Sequence, residues 1–109
     1  MNATLFAASR VSALILAVAV AVHLVVIIHA VQQGLTIGAI LSRTHGNWAF
    51  LVLYGCFVLA AAVHAPIGLR TVLAEWFSWS GPLADWLLLA FGVLLAVLGL
   101  RAALAVFLA

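Results

Sequence analysis

The sequence predicts an all-α integral membrane protein with three transmembrane helices. Hydrophobic residues make up 70% of the 109 residues and charged residues only 6%, whereas roughly 25% of the residues in a water-soluble domain are charged. Three apolar runs, at about 11–31, 48–69 and 83–107, approach the ~20 residues that a spanning helix requires. In lipid, such a run can satisfy its backbone hydrogen bonds only as a helix. We expect a single transmembrane anchor domain over residues 1–109, with any substrate chemistry in another subunit.

The first apolar run follows Arg10, and Ser9 is a candidate cap for its helix. This run is longer than the apolar core of a secretory signal peptide, and it contains His23 and His29. We therefore predict a spanning helix and not a cleaved leader. His29 lies near the end of the run, where we expect a solvated imidazole at the interface.

The connection after the first helix is predicted to lie at the membrane interface. Residues 32–34 break the helix, residues 35–41 are too few to span the bilayer, and residues 42–47 are polar. His45 in this connection has no acid or cysteine nearby in the sequence. We expect its side chain to be solvated.

The second run begins at Trp48, which together with Tyr54 is typical of an interfacial aromatic belt. The run continues through His64 to Pro66, whose ring nitrogen has no proton to donate to the helix. A kink or a loosening of the helix just past His64 is therefore predicted. Gly68 would allow a neighbouring helix or a flat ligand to approach the backbone closely.

The third run follows an aromatic connection. This connection and the helix start carry three tryptophans, which predict either an anchor at headgroup level or a surface for a partner protein: Trp76, Trp79 and Trp86. Asp85 falls in the first turn, where a carboxylate interacts favourably with the helix dipole. Gly92 and Gly99 are seven residues apart on one face, which predicts close packing by another helix.

The charged residues restrict the possible partners. The four arginines form no patch and the chain has no lysine, so a nucleic-acid partner is not expected. Arg10 and Arg70 are predicted at one membrane face, and Arg43 and Arg101 at the other, so the positive-inside rule gives a tie for orientation. Cys56 lies in an apolar helix, where we expect it to act as a small hydrophobic residue.

His64 is the strongest candidate for a functional side chain. An ionisable residue in a spanning helix is costly and is by default a functional site. Neutral imidazole is a good ligand for haem iron and can hydrogen-bond through its other ring nitrogen. The alternative is that His64 only pairs with a neighbouring helix.

Helix rise separates the two histidines inside the membrane. Arg10 to His23 spans ~20 Å along a helix axis and His64 to Arg70 ~9 Å. If both arginines mark the same face, the imidazoles differ in depth by roughly 10 Å, so one haem cannot take both as ligands. Each would then need a partner histidine from a second chain. His23 could instead bond a backbone carbonyl or a haem propionate.

The segment from His64 to Arg70 has the pattern His-x-x-x-Gly-x-Arg and closes a transmembrane helix, with Glu75 shortly after it. It resembles the haem-ligand helix of the cytochrome b anchor subunits (C/D type) of succinate dehydrogenase and fumarate reductase. Arg10 and Ser12 resemble the Arg-x-Ser entrance of the quinone-side subunit of that family.

The surroundings of His23 resemble the distal-haem helix of the two-haem members, in which the two-helix unit is repeated. In comparison with those longer chains, this protein resembles half of a haem-binding helix bundle. Phe6 stands where some members of the family carry a serine one turn before the arginine.

The resemblance implies a non-catalytic electron-transfer subunit of a tricarboxylic acid cycle complex in a bacterial inner membrane. One or two haem b groups would be shared with a second anchor subunit, identical or homologous, with iron ligated by His64 and, in a second haem, by His23. Arg10, Ser12 and Arg70 would lie near haem propionates or the quinone substrate. Soluble iron–sulfur and flavoprotein subunits would bind on the Arg70 side, which would face the cytoplasm.

Two other functions remain open at the level of sequence. The chain could be a small membrane scaffold or transporter component whose histidines pack helices or relay protons. It could also be the haem anchor of a different flavin oxidoreductase.

Overall fold

The computed structural model describes residues 2–109, and it contains four helices. They are α1 (Ala3–Gln33), α2 (Ile37–Thr44), α3 (Trp48–Phe77) and α4 (Pro82–Leu108). Helices α1, α3 and α4 are long and apolar enough to cross a membrane, and residues 2–109 contain no strand. The predicted all-α class with three spanning helices is confirmed.

Helix α1 begins eight residues before the predicted start at residue 11. Its cap is Asn2, whose side-chain oxygen accepts a hydrogen bond of 2.8 Å from the backbone N–H of Leu5. The expected cap, Ser9, instead lies inside the helix. Residues 3–10 therefore extend the helix by about two turns beyond the apolar run.

Helix α3 runs through Pro66 and ends eight residues beyond the predicted end at residue 69. Ser78 stops it by adopting a left-handed conformation (φ 51°). The backbone N–H of Trp79 then turns back to the carbonyl of Leu73 at 3.0 Å, which satisfies one of the last carbonyls of the helix. The proline thus lies within a continuous helix.

Helix α3 lies between α1 and α4 and packs against both. The molecule measures 48 × 22 × 22 Å, so its long axis matches the ~46 Å expected for a helix of the length of α1. Ser12 of α1 lies beside His64 of α3, and His23 lies beside Tyr54. The two helices are therefore antiparallel.

The predicted close-packing face of α4 is used inside the chain. A β-carbon at Gly92 would lie 2.9 Å from the carbonyl oxygen of Ala62 and 3.0 Å from Cγ of Pro66, and one at Gly99 would overlap Val58. Both glycines thus pack on α3 and are not available to a second copy. The Ala62 carbonyl is also the group that Pro66 leaves without its helical N–H donor. An α-hydrogen of Gly92 points at this carbonyl oxygen and can form a weak hydrogen bond with it.

The short helix α2 closes the opposite end of the molecule. The Thr44 hydroxyl donates to the carbonyl of Val106 at 3.0 Å, and the Gly46 N–H donates to the carbonyl of Phe107 at 2.9 Å. These bonds satisfy carbonyls at the C-terminus of α4 that have no helical partner. The segment predicted as an interfacial connection therefore contains a short helix that is tied to α4.

Small side chains fill the contacts between helices. Among residues 2–109, the most buried hydrophobic side chains are Ala19, Ala60, Ala84, Leu88 and Ala103. Larger aliphatic and aromatic side chains point outward along all three long helices. This arrangement is typical of membrane helices, which approach one another through small residues and expose large apolar ones to lipid.

Candidate functional site

Two polar pairs join α1 to α3 within the apolar region, and each combines a histidine with a hydroxyl from the facing helix. In the first pair, Nδ1 of His64 lies 3.3 Å from Oγ of Ser12. Ser12 is only 4% exposed, and His64 is half-buried. The same serine oxygen lies 3.0 Å from the backbone carbonyl of Ser9.

We assign the protons of this pair from these two distances. A serine hydroxyl has one proton to donate, and the Ser9 carbonyl, which can only accept, is the nearer partner. The Ser12 oxygen then accepts a hydrogen bond from the Nδ1–H of His64. In this tautomer Nε2 keeps its lone pair, the form of imidazole that ligates a metal.

The second pair is His23 with Tyr54. Nδ1 of His23 lies 2.6 Å from the phenolic oxygen of Tyr54, and the His23 ring stands edge-on to the rings of Tyr54 and Phe57, with centroids 5.3 Å away in each case. Sequence reasoning interpreted Tyr54 as part of an interfacial belt. The structure instead directs its hydroxyl into the contact between α1 and α3.

The two pairs lie at well-separated depths. Ser12 and His23 are eleven residues apart on α1, which corresponds to ~16 Å along the helix axis. The sequence estimate of roughly 10 Å assumed that Arg10 and Arg70 lie at equal depth. Because Ser12 faces His64, Arg70 lies ~6 Å farther out than Arg10 along the helix axes. No single metal ion can therefore contact both imidazoles.

The helix face next to His64 is open at Gly68, one turn away. A β-carbon built at Gly68 would meet no atom within 4 Å. Within residues 2–109, no helix uses the close approach that Gly68 permits. The space lies on the same face of α3 as His64, because residues four apart share a face.

An apolar groove between α1 and α3 passes beside Ser12 and has a volume of about 470 Å³. Its lining includes Ile15 and the exposed Cys56, which also line a second groove of about 370 Å³. Neither histidine lines these two grooves. The first groove therefore borders the Ser12–His64 pair through Ser12 alone, and the second groove borders neither pair.

The arginines predicted to bind propionates or quinone have partners within the chain. Nε of Arg70 lies 3.0 Å from a carboxylate oxygen of Asp85, an ion pair that joins the end of α3 to the start of α4. The guanidinium of Arg10 lies 5.2 Å from the centroid of the Phe6 ring. Both arginines lie toward the end of the molecule nearest the Ser12–His64 pair.

The remaining sequence candidates are exposed. The side chains of His29 and His45 are exposed. The tryptophans of the α3–α4 connection are also exposed, and Trp76 is the most exposed, at 77%. Their positions are compatible with both of the expected roles, headgroup anchor and partner contact.

Within residues 2–109, no cluster of three or more histidine, cysteine, aspartate or glutamate side chains is arranged to hold a metal ion. Each histidine pair offers at most one imidazole from this chain, so a bound metal would need ligands from another molecule. No protein-family model, curated protein or solved structure matches this chain.

Proposed function

We propose that this protein is a haem b-binding membrane anchor subunit of a succinate dehydrogenase or fumarate reductase type of complex. In this proposal it passes electrons between soluble iron–sulfur and flavoprotein subunits and a membrane quinone. The dicarboxylate chemistry belongs to the soluble subunits, and this chain supplies haem ligation, burial and orientation.

The observation that carries the proposal is the Ser12–His64 pair. Metal-ligating histidines almost always donate their other ring N–H to a fixed acceptor, which sets the tautomer and the ring orientation. Ser12, oriented by the Ser9 carbonyl, provides such an acceptor for Nδ1 of His64. Nε2 makes no hydrogen bond within residues 2–109, and Gly68, one turn along the same face of α3, has open space at its β-carbon position.

His64 would supply one histidine ligand to a haem, and a second ligand would come from another chain. His23 is too far from His64 to supply it, as the ~16 Å separation along α1 requires. The proposal therefore includes a second anchor chain, identical or homologous. The haem would supply one-electron transfer when bound, and this chain would hold and orient it.

The polar groups near Arg10 support a role at the same end of the molecule. Nε–H of Arg70 donates to a carboxylate oxygen of Asp85 at one edge of the guanidinium, and a guanidinium has further N–H groups for an anion. Arg10 is exposed and has no carboxylate partner among residues 2–109. Both can therefore bind haem propionates or a quinone carbonyl in the proposed complex.

The test is the b-type absorbance per chain after assembly with partner subunits. We expect a reduced-minus-oxidised b-type spectrum from the native chain and its loss in His64→Ala. His29→Ala is the matched control, because it removes an exposed imidazole from a spanning helix, and it should leave the spectrum unchanged. Normal haem content in His64→Ala would reject the ligand assignment.

One observation also favours a second candidate function. The Ser12–His64 bond by itself joins two helices, as expected for a membrane scaffold whose histidines serve helix packing. In that case the native chain would carry no haem, and His64→Ala would lower its stability without any spectral change.

A further inference from the structure

The His23–Tyr54 pair differs from the Ser12–His64 pair in the acceptors that are available to its hydroxyl group. Among residues 2–109, the only hydrogen-bond partner of the Tyr54 hydroxyl is Nδ1 of His23, at 2.6 Å. The Ser12 hydroxyl, in contrast, has a backbone carbonyl available. Within residues 2–109, the Tyr54 hydroxyl therefore either donates its hydrogen bond to His23 or donates none.

Two arrangements of the protons are possible for the second pair. If the phenol donates to Nδ1, then Nε2–H of His23 is the one group without a partner. If Nδ1–H donates to the phenol, the phenolic proton and the Nε2 lone pair both lack partners. Because each unpaired polar group in an apolar environment costs ~1–3 kcal/mol, the first arrangement is favoured.

We infer that His23, held by Tyr54, is a hydrogen-bond donor site for the carbonyl oxygen of a neutral, membrane-soluble molecule, and not an iron ligand. With its proton on Nε2, the neutral ring has its lone pair on Nδ1, which the Tyr54 hydroxyl already occupies. Nε2–H is then the polar group of the ring that has no partner among residues 2–109. The two intramembrane histidines thus have opposite roles, His64 as acceptor or ligand and His23 as donor.

The surroundings of His23 favour a neutral acceptor. The rings of Tyr54 and Phe57 surround the imidazole, and no charged side chain hydrogen-bonds to it within residues 2–109. Arg10 on the same helix lies ~20 Å away along the axis. A carboxylate at this depth would lack a compensating cation, and burial of an unpaired charge is strongly unfavourable.

The depth of His23 excludes the ester carbonyls of phospholipids. His23 lies five residues from residue 18, the midpoint of α1, or ~8 Å along the axis. With the midpoint of α1 at the centre of the bilayer, this position falls inside a hydrocarbon core that is ~30 Å thick, whereas ester carbonyls lie at its edge. The ligand that carries the accepting carbonyl must therefore dissolve in the hydrocarbon core. The choice of a quinone among such carbonyl compounds rests on the proposed function.

The experiment uses the full chain in lipid nanodiscs, without haem, with ¹⁵N in the histidine rings. We expect the NMR spectrum of His23 to show a protonated Nε2 and an unprotonated Nδ1. Addition of 1,4-naphthoquinone should shift the His23 Nε2–H resonance in a saturable manner. Tyr54→Phe should give a mixture of tautomers and weaken naphthoquinone binding ~3- to 10-fold, the effect of losing one hydrogen bond.

Ser12→Ala serves as the matched control, because it removes the hydroxyl partner of the other histidine and should leave the His23 resonances unchanged. An Nδ1–H tautomer at His23 in the native chain would overturn the inference and restore His23 as a candidate iron ligand. Absence of a naphthoquinone shift at saturation would also overturn it. Absence of haem from the assembled protein would reject the proposed function alone, because these measurements need no haem.

Discussion

At the scale of single residues, the hydroxyl partners differentiate the two histidines. The Ser12 hydroxyl donates a hydrogen bond to a backbone carbonyl, which leaves its oxygen to accept one from His64. Within residues 2–109, His23 is the only hydrogen-bond partner of the Tyr54 hydroxyl. An imidazole in a membrane has two nitrogens to satisfy, and the neighbour of one nitrogen determines the chemistry of the other. A serine and a tyrosine therefore give two similar side chains different capacities.

Ser12 should influence haem binding through His64 without contacting the haem. We expect Ser12→Ala to keep the b-type spectrum but to weaken haem affinity by ~10- to 100-fold, as is typical when the partner of a metal-ligating histidine is removed. The measurement is titration of the haem-free chain with haem, with its partner chain present, followed by absorbance.

Ser9→Ala is the control for this experiment. Ser9 contributes only its backbone carbonyl to the pair, and alanine retains that carbonyl. The haem affinity of the Ser9→Ala chain should therefore equal that of the native chain. If Ser12→Ala also binds haem with native affinity, Ser12 does not orient His64.

At the scale of helices, α3 is the element that organises the molecule. It contacts α1 through the two histidine pairs and α4 through the two glycines, and Arg70 adds an ion pair with Asp85. This ion pair is largely exposed, with 40% and 51% of the two side chains accessible, so it is worth at most ~1 kcal/mol. The close glycine contact is the more important attachment of α4.

We expect Gly99→Ala to destabilise the protein because the added β-carbon would overlap Val58. Overpacking of this kind typically costs ~1–3 kcal/mol. Gly55→Ala is the matched control, since Gly55 also lies in a spanning helix but has nothing within 4 Å of the β-carbon position. It should be neutral or slightly stabilising, because alanine is the better helix former.

Thermal unfolding of each variant in the same detergent would measure these effects. Equal melting temperatures for Gly99→Ala and Gly55→Ala would show that α4 does not pack on α3 through Gly99. Loss of stability in both variants would indicate that Gly55 contacts a helix outside this chain.

At the scale of the whole molecule, the three spanning helices alternate in direction. The start of α1 and the α3–α4 connection therefore lie at one end, and α2 lies at the other with the end of α4. Large apolar side chains cover the long helices on their outer faces. Such a surface is stable in lipid or against other apolar helices.

Labelling of single cysteines tests this topology. In a Cys56→Ser background, Asn2→Cys and Ser80→Cys should react with a membrane-impermeant maleimide from the same side of sealed vesicles, and Ser42→Cys only from the other side. All three original residues are exposed in the structure. Labelling of Asn2→Cys and Ser80→Cys from opposite sides would contradict the arrangement of three antiparallel spans.

The sequence by itself determined the class and the number of spanning helices, and it identified His64 as a candidate functional residue. These properties depend on composition, on the length of apolar runs and on the cost of an ionisable group in lipid, and none of them needs a partner to be identified. The exact ends of α1 and α3 did not follow from hydropathy, because Asn2 and Ser78 set them through backbone and cap geometry.

The tertiary structure alone decided which side chains meet. Composition does not report the rotation and register of one helix against another, so Tyr54 was placed in an interfacial belt and the glycine face of α4 remained available to any helix. A signal for the second pair does exist in the spacing. Eleven residues separate Ser12 from His23, and ten separate Tyr54 from His64. Nearly equal numbers of residues give a nearly equal rise along two helices. In antiparallel helices, contact within one pair therefore brings the members of the other pair together.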